Sequence, residues 1–324
     1  MKSLLLSLSA ILLFSACSSK QFFEPKKTTH FKKKTLDIPA YIKDINTKGA
    51  TLEDGRYIDI HGISAKKLQK DYIFINNNNT DIISANKSGD LTINSNLHFK
   101  FRSRVIAAAI KGDLLAMNFA DNSIGLYNIK EKQFKFKQYQ KVSYLNDARI
   151  AMPLFLNSLV LFPTLDGKVV AVNTDTYLVA KTLNIDPDSQ VNNIILLKNM
   201  DDNLIIASSN IILSLSEGKA FKKNFFIQSY TSDDKYIYIA TLDGRLLKLS
   251  ATLDLIASKK FRFAKFQALA VKDEHLYAIE SQGYIVRLDK FFTTLKIDSI
   301  DFEDDEKTFT SKNKIYFENK VITF

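Results

Sequence analysis

A tight turn that recurs along the chain constrains its fold more than any other feature. Leu165-Asp166-Gly167-Lys168-Val169-Val170-Ala171-Val172 aligns with Leu242-Asp243-Gly244-Arg245-Leu246-Leu247-Lys248-Leu249, and Gln282-Gly283-Tyr284-Ile285-Val286-Arg287-Leu288 is a third copy. Weaker copies surround Gly55 and Gly89, while Asn122, Asn210 and Asn319 stand where the glycine would be. Gly and Asn both tolerate φ > 0, which tight primed hairpins require, so either residue can fill the position. These eight turn positions lie roughly 33 to 45 residues apart, close to the period of a four-stranded propeller blade.

The segments between the turns support the same fold. Short β-prone runs such as Tyr72–Asn76, Leu114–Phe119, Leu204–Ala207 and Tyr236–Ala240 are separated by turn residues, with no amphipathic helical period. One unit shows the order: an apolar strand Phe266–Val271, a turn at Asp273-Glu274, a strand His275–Glu280, the Gly283 hairpin, a strand Tyr284–Asp289, and a polar outer strand near Thr294–Ile300. Apolar inner strands with lysine-rich outer ones suit blades packed face to face around an axis. The expected fold is all-β: a β-propeller of four-stranded antiparallel blades, eight by this count. Seven is the alternative, because the unit around Gly55 shows no clear first strand. The chain ends at Val321–Phe324, one strand short of a full last blade. A strand from residues 36–46 is expected to complete it and protect its edge.

The first twenty residues, MKSLLLSLSAILLFSACSSK, carry a different kind of information. Lys2 precedes an apolar run from Leu4 to Phe14 that is too short for a bilayer core of ~30 Å. Ser15-Ala16 then places small residues before Cys17, the proportions of a signal peptide. The segment resembles a bacterial lipoprotein signal, which implies that Cys17 is acylated, palmitate included, and becomes the first mature residue. Cys17 is the only cysteine, so no intrachain disulfide forms, and acylation would remove an otherwise free thiol. The division expected is a signal peptide at 1–16, a lysine-rich tether at 17–35, and a single propeller domain at 36–324. The tether holds Lys20, Lys26, Lys27, Lys32, Lys33 and Lys34 against Glu24, about half of the formal charge of +10. Such a composition reads as a solvated leash, with anionic headgroups as a second reading.

No catalytic, cofactor-binding or metal site emerges from the sequence. G-x-S-x-G, H-E-x-x-H and G-x-x-x-x-G-K-[ST] are all absent. His30, His61, His98 and His275 are scattered, with no metal-ligand spacing. The acidic run Asp301–Glu306 lacks the alternating ligands and glycine of a calcium loop, so it reads as a solvated connection between blades. The two longest spacings flank Gly167 and place extra chain at residues 139–149 and 186–190. These loops are the expected partner-facing elements.

The unit Asp166–Ile185 resembles the repeat of quinoprotein-like propellers. With eight units and a lipoprotein signal, the chain resembles the BamB-like lipoproteins of the outer-membrane β-barrel assembly machinery from about residue 36 to 324. It departs from them in having no Trp and in losing the Thr-Gly pair after the third strand: Thr176-Tyr177, Glu217-Gly218 and Leu253-Asp254 stand near its place. The resemblance implies a non-catalytic scaffold on the periplasmic face of the outer membrane, without cofactors and without nucleic acid, whose protein partner is BamA. An envelope-anchored propeller that binds another protein or a polysaccharide is the alternative. The same repeat occurs in quinone-dependent dehydrogenases, a further alternative that the missing Trp and missing cysteine pair disfavour.

Overall fold

The computed structural model describes residues 21–31, 35–141, 149–187, 189, 192–303 and 306–324. The expected signal peptide and Cys17 therefore lie outside the described residues, as does part of the tether. The described chain contains eight antiparallel four-strand sets and no helix. Numbered in chain order, the blades span 42–67, 73–100, 105–139, 154–184, 196–224, 227–260, 266–299 and 308–323. Within blades 1 to 7 the strands run outward in sequence order, so the first strand of each blade lies nearest the axis.

Eight apolar clusters form the core, one at each seam between neighbouring blades. At the 2/3 seam Ile75, Ile83 and Leu91 pack against Val105, Leu115 and Phe119. At the 7/8 seam Ile279 and Ile285 meet Ile315, Phe317 and Phe324. The chain has 24 Phe and no Trp, and phenylalanine supplies the bulk. Phe101 sits among Phe99, Phe119, Tyr127 and Phe134 with ring centroids 5.4 to 6.3 Å apart. Each fully buried side chain of this size contributes about 1.5–3 kcal/mol. Outer strands are exposed, as in Val179–Asn184 and Lys219–Asn224, and there the lysines collect.

The last blade has only three strands from its own stretch, Thr308–Ser311, Lys314–Phe317 and Lys320–Thr323. Leu36–Asp37 supplies the fourth, antiparallel to Lys320–Thr323, with Leu36 opposite Val321. Sequence reasoning assigned 36–46 as a whole to this closing strand. The structure divides that stretch, because Ile42–Ile45 is the inner strand of blade 1, the strand that seemed to be missing. Backbone hydrogen bonds from Ile38 to Asn319 O (2.7 Å) and from Ile42 to Glu318 O (2.9 Å) steer the chain between the two.

Upstream of this strand the chain is seated rather than solvated. Phe23 is buried in the 6/7 seam, edge-on to Phe261 and Tyr284 with centroids 5.8 Å away in both cases. Thr29–His30 pairs in parallel with the outer strand Leu295–Ser299, making blade 7 five-stranded. Thr29 Oγ1 donates to Asp298 Oδ1 at 2.5 Å. Phe31 then packs against Phe324 at 6.1 Å. Lysine content suggests a free leash here, but Phe23 and Phe31 outweigh it by packing into the 6/7 and 7/8 seams. Residues 32–34 lie outside the described set.

Turn chemistry follows the expected positions closely but not throughout. Gly55, Gly89, Gly167, Gly244 and Gly283 have φ between 78° and 90°, and Asn122 has φ 59°. Asn210 and Asn319 stay outside the left-handed region, and Glu318 takes φ 46° beside the latter. At Gly244 a Cβ would lie 2.2 Å from the Phe261 carbonyl oxygen and 3.1 Å from that of Ala264, so both conformation and space demand glycine. Gly218 has the same φ, 78°, with nothing near. Gly218→Ala is expected to lower stability by about 1–2 kcal/mol, the cost of a left-handed L-residue, and Gly244→Ala by about 3 kcal/mol or more. Urea midpoints of the two variants check this, and equal losses would refute the steric account. Phe23→Ala is expected to cost about 3 kcal/mol and to release the backbone around the exposed Lys26 and Lys27 for cleavage by trypsin, which limited proteolysis reads.

Candidate functional site: the hairpin face and the central channel

Strand alternation places the eight Gly or Asn hairpins and the interblade crossings on one face of the ring, here the hairpin face. The tightest functional geometry lies where that face opens onto the axis. A cavity of about 570 Å³ runs down the axis, bordered by Thr47, Arg149, Gln228, Tyr230, Gln267 and Glu306. The inner strands of blades 6, 7 and 8 turn polar side chains into it. Bulges re-aim these residues. The register slips between Ile227 and Ser229 and again between Phe266 and Ala268, leaving Gln228 and Gln267 as the extra residues facing the channel.

Arg149 enters from the crossing into blade 4. Its Nη1 donates to Gln228 O at 2.8 Å and its Nη2 to Ser209 Oγ at 3.2 Å, so the guanidinium ties its own crossing to the hairpin of blade 5 and the inner strand of blade 6. Thr47, on the hairpin tip of blade 1, reaches in from another side, its Oγ1 donating to Ile150 O at 3.1 Å. Lys307 Nζ donates to Lys43 O at 2.6 Å. Burial pushes the Glu306 carboxyl up to about 7, with the Glu318 and Glu303 carboxylates adding to the shift. Its Oε1 accepts from the Glu303 backbone NH at 3.0 Å.

The loops expected to face a partner divide in two. Tyr139 ends the outer strand of blade 3 and is exposed, and residues 142–148 lie outside the described set. In the 186–190 stretch, Asp186 and Ser189 are pinned. Asp186 is buried, and its Oδ2 accepts from Ser208 Oγ (2.8 Å) and Asn210 Nδ2 (3.1 Å). Asn210 Nδ2 also lies 2.9 Å from Ser189 Oγ. Residues 188 and 190 lie outside the described set. Asn210 thus serves its turn through its amide rather than its backbone angle. Asn122 uses both: its Nδ2 reaches Lys141 O (2.7 Å) and Asp166 Oδ1 (3.1 Å), and its Oδ1 accepts from the Leu165 NH (2.8 Å).

The channel residues escape a strand-by-strand reading of the sequence, because Gln267 interrupts an apolar inner strand and Thr47, Arg149 and Glu306 lie outside the strands. The polar run Gln228-Ser229-Tyr230-Thr231 was the available signal. The four histidines do not converge. His61 Nε2 lies 2.9 Å from Asn79 Oδ1, His275 Nδ1 lies 2.8 Å from Asp273 O, and His30 and His98 are exposed. Among the described residues no group of three His, Cys, Asp or Glu is placed to hold a metal. In the acidic run, Asp301 pairs with Lys320 Nζ at 2.8 Å, and residues 304 and 305 lie outside the described set.

With its pKa raised, Glu306 holds its proton more tightly in the folded chain than in the unfolded one. Between the unfolded value and about 7 the folded state binds more protons, so stability falls as pH rises through that window. Urea midpoints measured from pH 5 to 8 are expected to fall for the native chain and to flatten in Glu306→Gln. Parallel curves would show that this carboxyl does not govern the slope.

No protein-family model matches the chain. Two proteins named plasminogen-binding protein PgbB, from Helicobacter pylori strains J99 and 26695, are 26% and 25% identical over 387 aligned residues. Each alignment covers all of this chain and 71% of the relative. Among solved structures, BamB from Moraxella catarrhalis superposes with a TM-score of 0.65 at 15% identity, over 92% of this chain and all of that one. The carboxy-terminal WD40 domain of Sif2 gives 0.61 at 14% identity, over 91% of this chain and 99% of that one. At these identities the structural likeness speaks for the propeller fold.

Proposed function

We propose that this chain is a non-catalytic, envelope-anchored propeller that holds a protein partner on its hairpin face. The observation that carries this reading is the full-length similarity to proteins named for binding plasminogen, on a ring whose fold BamB shares. A ring of this kind positions exposed crossings on a rigid frame, which suits recognition. Exposed Tyr139, where the 139–149 stretch begins, is the leading contact. Asp186 and Ser189, pinned by Ser208 and Asn210, act as its support.

Two partners follow from two observations. Relatives named for plasminogen binding favour an extracellular protein of that kind. The lipoprotein-type signal together with the eight-bladed ring favours BamA and a role in outer-membrane protein assembly. In both readings Cys17 carries the lipid that fixes the protein to the envelope, at the periplasmic side of the outer membrane in the assembly reading.

A tagged, lipidated chain is purified from gently solubilised membranes and its partners are identified by mass spectrometry, while the same protein is passed over immobilised plasminogen. Recovery of BamA supports the assembly role, and retention on plasminogen supports the other. Failure of both overturns the protein-partner reading. Cys17→Ser is expected to abolish palmitate labelling and to move the protein from the membrane to the soluble fraction. Unchanged fractionation would remove the anchor.

A further inference from the structure

The hairpin face carries an apolar patch over blades 6 and 7 that the channel does not use. Phe226 is 66% exposed and Leu242 61%, and the Leu242 NH donates to Phe226 O at 2.9 Å, so the two are neighbours. Phe263, 40% exposed, sits with φ 65° in the turn closed by Ala264 NH to Phe261 O (3.2 Å). Phe261 NH in turn donates to Gly244 O at 2.8 Å, which fixes that turn against the hairpin bearing Leu242. Phe23 packs on Phe261, and its neighbour Phe22 is 45% exposed. Four large apolar side chains thus follow one another along the rim. Lys26, Lys27, Arg262 and Lys265 are exposed around them, with the Arg262 guanidinium 4.6 Å from the Phe263 ring.

The position of the amino-terminal run decides what covers this patch. Phe23 is locked into the 6/7 seam, so the six residues from Cys17 to Phe22, five Cα steps, are the whole leash, about 17 Å at full extension. A lipid on Cys17 therefore keeps Phe22 within that distance of the bilayer surface. Aromatic and leucine side chains rimmed by Lys and Arg are the groups that settle at headgroup level, and one acyl chain gains firm binding from a second contact.

We propose that this rim of the hairpin face, Phe22, Phe226, Leu242 and Phe263 together, lies against a phospholipid bilayer and sets the tilt of the ring. This rests on the lipid-anchor reading above. Tyr139, at the end of the outer strand of blade 3, stands about three blade positions away around the ring, so the tilt lifts it from the lipid and leaves it open to a partner.

The absence of tryptophan makes the test direct. Phe263→Trp and Leu242→Trp each introduce a single tryptophan, excited apart from the tyrosines, and Leu178→Trp, at a 68% exposed position on the opposite face, is the control. Each lipidated protein is reconstituted in phosphatidylethanolamine–phosphatidylglycerol vesicles with brominated acyl chains. The expected result is a shift to shorter wavelength and loss of roughly half the emission at 263 and 242, with residue 178 unaffected, as depth in the interface requires. Equal quenching at all three positions, or none in vesicles that float with the protein, overturns the proposal. A shift produced only by an envelope protein extract, without quenching by lipid, also overturns it by assigning the patch to a protein. Mass spectrometry of Cys17 separates the two levels. An acylated chain without quenching refutes the patch and leaves the anchor, whereas an unacylated chain refutes the anchor. In that second case, quenching of the unacylated chain by the same vesicles still supports the patch, and its absence overturns it.

Discussion

Every sheet in this ring turns a bare strand edge toward the axis, and an unpaired edge has to be satisfied. The chain solves this at every seam with a polar side chain that reaches from one blade to the next. Asn46 donates to Phe74 O at 2.7 Å, Asn76 to Ala108 O at 2.8 Å and Lys111 to Asn157 O at 3.1 Å. Asn193 donates to Arg149 O, Tyr230 to Ile195 O at 2.7 Å and Ser229 to Phe266 O at 3.0 Å. Thr308 donates to Gln267 O at 3.4 Å, and Lys307 to Lys43 O closes the circle. Hydrophobic seams press the blades together without fixing their angle, since apolar attraction has no direction. The side-chain bonds supply the direction. They also bring polar groups to the channel, since Asn46, Ser229, Tyr230, Lys307 and Thr308 are among its lining residues.

The outer edge is handled differently. Charged side chains cover the outermost strands, with Lys100 on Asp90 at 2.9 Å and Lys260 on Asp243 at 3.1 Å. Exposed pairs of this type add little energy but keep a second sheet from docking. Blade 7 is the exception, because Thr29–His30 covers its edge with backbone. That strand, the Phe23 plug and the Leu36–Asp37 strand belong to one continuous run, so a single segment ties blades 6, 7, 8 and 1 together.

Much of this architecture was legible because hairpins leave a chemical trace. Gly167, Gly244 and Gly283 mark turns that no residue with a side chain fits easily, and the second strand of a blade, such as Ile237–Thr241, is buried throughout. What stayed hidden came from packing between segments distant in sequence. Lysines at 26, 27 and 32–34 announced a leash, yet Phe23 and Phe31 find partners at Phe261 and Phe324, which no local pattern reveals. Asn210 looked like a substitute for glycine and proved to be a hydrogen-bond latch, because the carboxylate it serves lies in the preceding crossing. The bulges that aim Gln228 and Gln267 inward are set by pairing register, and a single strand read alone carries no register.

The amino-terminal clasp also has a consequence in time. Thr29 meets Asp298 across 269 positions of chain, and Leu36 waits for Val321. In a polypeptide that emerges or is exported from its amino end, this run has no strand to join until nearly all the rest has arrived. Blades 1 to 6 can form hairpin by hairpin from local contacts, whereas ring closure joins the two most distant parts and carries the largest loop-entropy cost. Until then the open side of blade 8 and the empty 6/7 seam stay exposed together, so the nascent chain is most in need of protection just before it is finished.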